Sequence, residues 1–154
     1  MIVPAPDLPA TDFMALQQLA ARYWALADLT EAVPLDEMFA PDAVFDLGKL
    51  QLEGLPAIAA FFAEREAGMR ASGRTTRHLA SNFLALPQPD GSVRVRSTVM
   101  VHTGNGDHPL PATEPSGIAD FHDLCRRQPD GRWLYHHRSA ATVFVGPGAA
   151  AFAR

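Results

Sequence analysis

The sequence has little cysteine: among its 154 residues there is one, Cys125. A single thiol excludes an intramolecular disulfide, and this is typical of a protein in a reducing compartment, so a cytoplasmic location is expected. The first twelve residues, MIVPAPDLPATD, lack the basic and apolar regions of a signal peptide. No apolar run approaches the ~20 residues of a membrane helix, so no association with a membrane is expected.

The sequence also lacks an excess of positive charge. The net charge is -4 and the arginines are scattered, so no basic field is present to attract nucleic acid, and nucleic acid is not an expected partner. The glycine-rich phosphate loops, the GxSxG elbow and the HExxH motif are missing as well. These absences exclude the common signatures of nucleotide-dependent enzymes, serine hydrolases and zinc proteases.

Residues that could bind a metal are few and badly placed. His122 and Cys125 are three positions apart, which puts them on opposite faces of a strand. His102, Asp107 and His108 could meet around a metal in a loop, but a solvated loop with ordinary histidines is the favoured interpretation. We therefore predict no metal site.

The size and composition suit one domain. Apolar residues make up 47% of the chain and charged residues 19%, an ordinary globular balance with enough apolar material for a core. We expect a single domain over residues 1–154, with its core at about 12–145. Residues 1–10 would then form an extended arm and residues 146–154 a flexible tail.

Two periodicities divide the chain. Helical spacing of apolar residues predicts a first helix from near Asp12 to about Asp28, a short helix at Pro34 and a long helix from Pro56. A small hairpin precedes the long helix, and from Thr75 onward a period of two predicts four long antiparallel strands. This segregation indicates an α+β fold, in which a curved sheet over helices would enclose a pocket.

One strand, TRHLASNF, carries polar residues where the alternation predicts a core. His78 and Asn82 share a face, and the small Ala80 between them leaves room for a ligand. Asn82 stands about 13 Å from His78 at ~3.3 Å per residue. Each would therefore contact a different part of that ligand.

Three other polar residues could complete a reactive site. Asp28 could fix the tautomer of His78, whose imidazole could accept a proton at neutral pH. Tyr23 could polarise a carbonyl and Arg138 could bind an anionic group. Tyr23 and Asp28 are about 140° apart on a helix of ~100° per residue, so both reach one cavity only if the helix ends or bends near Ala27, or if the cavity is broad.

Structural alternatives exist for each of these residues. Asp28 and Glu31 fit a capping box for a following helix. His78 could be an ordinary core histidine, and Tyr23 could serve core packing. Arg138 could be an ion-pair partner.

Three segments together resemble a known family. FAPDAVFD at 39–46, TRH-x3-N at 76–82 and GRW-x4-R at 131–138, in this order and spacing, are similar to the SnoaL-like branch of the nuclear transport factor 2-like (NTF2-like) superfamily. The resemblance runs from Asp12 to about Val145. It implies a cone in which a strongly curved, mixed and mostly antiparallel sheet wraps around three N-terminal helices and an internal cavity. It also implies a homodimer that forms through the outer face of the sheet.

Within this family the sequence is most similar to bile acid 7α-dehydratase-like and scytalone dehydratase-like enzymes, which use acid–base chemistry without a metal or organic cofactor. The resemblance implies that the catalytic residues are Tyr23, Asp28, His78 and Arg138. Further substrate-binding candidates are Asn82, Trp24, Phe39, Phe45, Phe61, Met100 and His102. The chain departs from the family at Phe121, where many relatives have tyrosine, and in the proline-rich loop 104–117.

The resulting hypothesis is a cofactor-independent lyase or isomerase, dehydratase-like, that acts on a small hydrophobic cyclic molecule. Two alternatives remain open. One is a protein that holds a steroid- or polyketide-like ligand without catalysis. The other is a β-subunit-like scaffold of a ring-hydroxylating oxygenase, for which a filled cone is expected. A His78 ring nitrogen far beyond hydrogen-bond reach of Asp28 (~3 Å) would count against the enzyme hypothesis.

Overall fold

Two helices and six strands make up the computed structural model, which describes residues 7–153. The helices are α1 (Ala10–Ala27) and α2 (Leu55–Ser72). The strands are β1 (Phe39–Asp46), β2 (Gln51–Glu53), β3 (Arg74–Pro87), β4 (Val93–Asn105), β5 (Gly117–Arg127) and β6 (Trp133–Val145). Short 3-10 turns lie at Leu35–Glu37 and Ala151–Ala153.

The strands form one mixed, curved sheet in the order β2-β1-β6-β5-β4-β3. Only the β1–β6 pair is parallel among the pairings of the described residues, and the others are antiparallel. The predicted α+β class and the mixed, mostly antiparallel sheet are therefore confirmed. The two Gln-Pro-Asp-Gly segments form the β3–β4 and β5–β6 turns, where Gly91 (φ 83°) and Gly131 (φ 88°) adopt left-handed backbone that favours glycine.

Helix α1 begins two residues earlier than predicted, and its start has no side-chain cap. Pro9 precedes its first turn, and proline suits a helix start because it has no N–H group to satisfy. Asp12, near which the helix was predicted to begin, accepts a hydrogen bond from Trp133 Nε1 at 3.2 Å. Most of the predicted arm, residues 1–6, lies outside the described residues. Neither described helix is long and apolar enough to cross a membrane.

The third helix of the expected cone is reduced to the 3-10 turn Leu35–Glu37. Leu29 adopts a left-handed backbone (φ 56°) directly after α1, which breaks the helical path. At the other end, the carbonyl of Met38 already accepts a hydrogen bond from Tyr135 N at 2.8 Å. Residues 30–37 lie between these two points, and the 3-10 turn is the helical element that forms there.

The core lies between the helices and the inner face of the sheet, and aromatic rings dominate it. Phe39 and Phe45 are fully buried in this cluster, and burying each large apolar side chain stabilises the fold by about 1.5–3 kcal/mol. Neither of them lines the cavity described below, so their predicted contact with a ligand is replaced by a packing role. Tyr23 and Phe62 contact the same cluster and also face the cavity.

Candidate active site

A cavity of about 680 Å³ lies inside the curve of the sheet. Apolar side chains dominate its wall, notably Trp24, Phe61, Phe62, Val99 and Phe121. The predicted lining residues Trp24 and Phe61 are thus found there. Polar groups also reach the wall; they include Tyr23, Arg65, Arg74, Thr76 and His78. An apolar chamber with a few convergent polar groups is typical of a small-molecule site.

His78 and Asp28 are in direct contact at this wall. The Nδ1 atom of His78 lies 2.6 Å from Asp28 Oδ1, and both side chains are largely buried, with 15% and 6% exposure. The backbone N–H of His78 donates to Asp28 Oδ2 at 2.8 Å, and Thr76 Oγ1 donates to Oδ1 at 2.7 Å. The carboxylate therefore receives three hydrogen bonds from the strand β3.

These hydrogen bonds determine where the proton lies between the Asp28 carboxylate and the His78 ring. Burial raises the pKa of the Asp28 carboxyl, but the hydrogen bonds and charge of His78 and the bond from Thr76 outweigh it, so the pKa lies below its ordinary value. An ionised carboxylate only accepts hydrogen bonds. His78 therefore carries a proton on Nδ1, and in the neutral ring Nε2 has a free lone pair.

The end of α1 explains how Asp28 reaches His78. The helix stops at Ala27, so Asp28 leaves the helical path and turns toward β3. The carbonyl of Ala27 accepts a hydrogen bond from Arg65 of α2, which satisfies an otherwise unpaired helix C-terminus. The capping-box interpretation of Asp28 is wrong, because no helix begins there and the carboxylate is bound to β3.

Aromatic rings hold the imidazole in place. The indole of Trp24 stacks on His78 with ring centroids 4.4 Å apart and planes 20° apart. This stacking fixes the orientation of the imidazole plane at the cavity wall. Tyr23 is edge-on to Trp24 at 4.7 Å. Burial raises the pKa of the Tyr23 phenol and the nearby Arg138 charge lowers it, with a net increase that keeps the hydroxyl protonated.

Arg138 is part of the core and does not line the cavity. Its Nη1 donates to Asp123 Oδ2 at 2.6 Å, and its guanidinium lies 4.0 Å from the Tyr23 ring centroid and 4.6 Å from that of Phe121. Those two rings do line the cavity. Burial raises the pKa of Asp123 to about 6, against the lowering effect of the Arg138 charge. Arg138 therefore supports the wall from behind as an ion-pair partner.

Three other predicted ligand contacts lie elsewhere. Asn82 is exposed at a β-bulge, with φ 55°, and it borders a separate groove between α1 and β3. The bulge interrupts the alternation that would have turned its side chain inward. Met100 and His102 alternate with the cavity residues of β4, Val99 and Val101, and are therefore on the outer face of the sheet.

Sequence reasoning missed two residues of the site on regular elements. Thr76 is two positions before His78, so alternation places it on the same face, and it is buried against Asp28. Arg65 follows Phe61 and Phe62 at helical spacing on α2, which puts a charge on the apolar face. Alternation and helical spacing were therefore sufficient signals for both.

The C-terminal segment also differs from the prediction of a flexible tail. Gly148 and Phe152 line the cavity, and Phe152 packs against Phe61 with ring centroids 6.2 Å apart. Arg74 donates to the carbonyl of Gly148 at 2.8 Å. The alanine-rich sequence of this segment carries no periodicity that could have predicted its position.

The possible metal ligands do not cluster. Within residues 7–153, no group of three or more His, Cys, Asp or Glu side chains could hold an ion. The Nε2 atom of His108 lies 2.7 Å from Thr75 Oγ1.

Burial raises the pKa of the Cys125 thiol well above its ordinary value, so this residue is a core side chain and a poor nucleophile.

The fold is a hollow α+β cone. Its cavity is mostly apolar and carries a few polar side chains, with His78 and Asp28 in contact at the wall. A family model described as a SnoaL-like domain matches residues 9–139. The chain therefore belongs to the SnoaL-like family, as the sequence motifs predicted, and its fold is NTF2-like. No curated protein matches the chain by sequence.

Several solved structures are similar to the chain. ActVI-ORFA from Streptomyces coelicolor is 19% identical, with a TM-score of 0.74, and the match covers 90% of this chain and 100% of that one. A candidate scytalone dehydratase from Novosphingobium aromaticivorans is 19% identical, with a TM-score of 0.71 and coverage of 91% and 89%. Aln2 from a Streptomyces species is 21% identical, with a TM-score of 0.67 and coverage of 87% and 93%. Sequence identities this low show a shared fold, and they do not show a shared activity.

Proposed function

We propose that this protein is a cofactor-independent lyase or isomerase, dehydratase-like, in which His78 acts as the base on a small hydrophobic cyclic substrate. The observation that supports this most strongly is the contact of 2.6 Å between His78 Nδ1 and Asp28 Oδ1, made by a ring that also lines the cavity. A carboxylate on one imidazole nitrogen raises the basicity of the other and stabilises the cation that forms on proton transfer.

The proposed reaction begins with proton transfer. His78 Nε2 takes a proton from a carbon next to a carbonyl, and Asp28 stabilises the resulting imidazolium. The electron pair of the broken C–H bond moves into an enolate, whose oxygen accepts a hydrogen bond from Tyr23. Arg138 is proposed to act through Tyr23, because its charge lies behind that ring.

Two outcomes follow from the same enolate. If a hydroxyl is attached to the next carbon, it leaves with a proton supplied by His78, so that water and a conjugated carbonyl compound form. If a carbon–carbon double bond is attached there instead, the electron pair spreads into it as a dienolate, and return of the proton from His78 to the far carbon gives an isomer with the double bond moved. In both cases His78 ends the cycle neutral, and neither an oxidant nor a reductant is required.

The two alternative functions, a scaffold subunit and a non-catalytic binder, differ from the proposed enzyme in what they require of the interior of the cone. A scaffold needs no chamber, whereas this cone encloses about 680 Å³. A simple binder has no use for a buried carboxylate beneath an imidazole, whose charge is costly to bury without a role. The candidate scytalone dehydratase among the similar structures is consistent with the dehydratase proposal, on the level of fold.

A substrate screen tests the proposal. A panel of cyclic β-hydroxy ketones is incubated with the protein, and loss of water is followed by ultraviolet absorbance of the conjugated product and by mass spectrometry. His78→Ala and Asp28→Asn should each reduce turnover by about 10²–10⁴-fold, whereas His137→Ala, at an exposed position on β6, should have no effect. Activity that survives both site changes would rule out the dyad. Binding without turnover across the panel would favour the non-catalytic alternative.

We also propose a homodimer formed through the outer face of the sheet. Leu79 and Val143 are 51% exposed and Val145 is 52% exposed. Leu79 alternates on β3 with the cavity residue His78, so it faces outward together with Met100 opposite it, whereas a register shift at Val143 interrupts the alternation on β6. Exposed apolar side chains on one sheet face are typical of a surface that associates.

A further inference from the structure

Two arginines line the cavity, and neither has a carboxylate partner. Arg65 of α2 donates to the carbonyl of Ala27 and to Thr76 Oγ1, the latter at 3.3 Å. Arg74, at the start of β3, donates to the carbonyl of Gly148 at 2.8 Å. These acceptors are neutral, and no ion pair within 4.0 Å involves either arginine among residues 7–153.

The nearby carboxylates form no ion pair with either arginine in the part of the chain that the structure describes. Asp28 is separated from Arg65 by the hydroxyl of Thr76, and both of its oxygens already accept hydrogen bonds from β3. Glu64 lines the same cavity but is exposed to solvent, which screens its charge. Burial lowers the pKa of Arg65, the electrostatic effects of Tyr23 and Asp28 raise it in part, and the charge of Arg74 lowers it further, so the two guanidiniums repel each other.

We propose that Arg65 and Arg74 bind an anionic group of the substrate, a carboxylate in its simplest form. The inference rests on the proposed function and narrows its substrate class to cyclic molecules that carry an acid group. Guanidinium groups suit this task because they bind carboxylates through paired, charge-assisted hydrogen bonds. An anion here would relieve the repulsion between the two arginines.

The strand β3 sets the length of such a substrate. Arg74, Thr76 and His78 occupy alternate positions and all three line the cavity. The backbone of Arg74 is therefore about 13 Å from that of His78 at ~3.3 Å per residue. The acid group lies toward Arg74 and the reacting carbon toward His78, with the apolar body between them against the aromatic wall. A cyclic substrate with its acid group at one end and the reacting carbon at the other is therefore expected.

A matched pair of fluorescent probes tests the inference without requiring turnover. 8-Anilinonaphthalene-1-sulfonate and N-phenyl-1-naphthylamine share one ring system and differ by the sulfonate. Because a hydrogen bond to a charged group is stronger than one to a neutral group, the anionic probe should bind the wild-type protein about tenfold more tightly or better. Arg74→Gln and Arg65→Gln should each reduce that preference several-fold and leave the neutral probe unaffected.

The control is Arg70→Gln, which removes an exposed arginine of α2 that pairs with Glu66. It should leave the preference unchanged. Thermal unfolding of each variant verifies folding, and Arg74→Gln alone is a sufficient test if Arg65→Gln does not fold. Equal affinity for the two probes, or a preference that persists in the folded arginine variants, would overturn the inference while leaving the dyad proposal intact. Failure of both probes to bind would overturn the cavity site and the proposed function together.

Discussion

The hydroxyl of Thr76 joins two charged groups of the site. It donates to Asp28 and accepts a hydrogen bond from Arg65, and the side chain is buried. Thr76→Val keeps the shape and removes the hydroxyl, so Asp28 loses a donor. We expect the free energy of unfolding to fall by about 1.5–3 kcal/mol, the usual value for a hydrogen bond to a charged group.

Urea unfolding of Thr76→Val measures this loss, and Thr76→Ser, which keeps the hydroxyl, is the control. The valine variant should also show slower turnover in any assay that depends on His78, because the carboxylate is then held less firmly. A valine variant as stable as wild type would show that the hydrogen bond to Asp28 contributes nothing.

Arg138 and Asp123 form a buried ion pair at the core of the cone. Asp123→Asn would leave the guanidinium charged and without its carboxylate, and breaking such a pair costs about 3–5 kcal/mol. Arg138→Met combined with Asp123→Leu should recover most of that loss, because both charges are removed. Denaturant midpoints compare the three proteins, and an asparagine variant of wild-type stability would contradict the structural role of the pair.

Much of the site could be predicted residue by residue. The position of His78 on an inward strand face follows from alternation, and its approach to Asp28 follows once α1 ends at Ala27. The burial of Arg138 could not be predicted, because its partner Asp123 lies on the neighbouring strand and only the sheet register brings them together. The catalytic roles themselves stay predictions.

At the level of elements, the bulge in β3 decides the position of Asn82. The pairing of β3 with β4 shifts between Ser81 and Leu84, and Asn82 adopts a left-handed backbone. Asn82→Val should lower the free energy of unfolding by about 1–2 kcal/mol, since a β-branched residue is strained there. Asn82→Gly should be close to wild type in stability, because glycine tolerates this backbone.

The glycine variant also tests whether Asn82 contacts a ligand. Because the Asn82 side chain borders the groove between α1 and β3 and not the cavity, Asn82→Gly should bind N-phenyl-1-naphthylamine with unchanged affinity. Fluorescence titration gives the comparison. A clear loss of affinity in the glycine variant would show that the amide reaches the chamber after all.

The regular elements were predictable, and the irregular ones were not. Helices α1 and α2 and the long strands follow from periodicity, because each buries one face along part of its length. The bulge at Asn82, the turn at Leu35–Glu37 and the path of the C-terminal segment depend on contacts between distant parts of the chain. Local sequence patterns do not record such contacts.

At the scale of the whole molecule, the outer sheet face predicts self-association. The proposed homodimer would have twice the 16.6 kDa mass of the chain. Leu79→Glu places a charge among the exposed apolar residues of that face and should shift the protein to the monomer. Light scattering coupled to gel filtration measures both masses, with Arg70→Gln on α2 as the control. A wild-type monomer would contradict the proposed dimer.

The central claim is that His78 removes a carbon-bound proton inside the cavity. The most direct measurement is deuterium uptake from D₂O at the carbon next to the carbonyl of 1-tetralone, followed by NMR after the ketone has been shown to displace N-phenyl-1-naphthylamine. We predict that the wild-type protein accelerates uptake, and that His78→Ala and Asp28→Asn reduce this acceleration by about 10²-fold or more. Equal uptake with the wild-type protein and with His78→Ala would contradict the account.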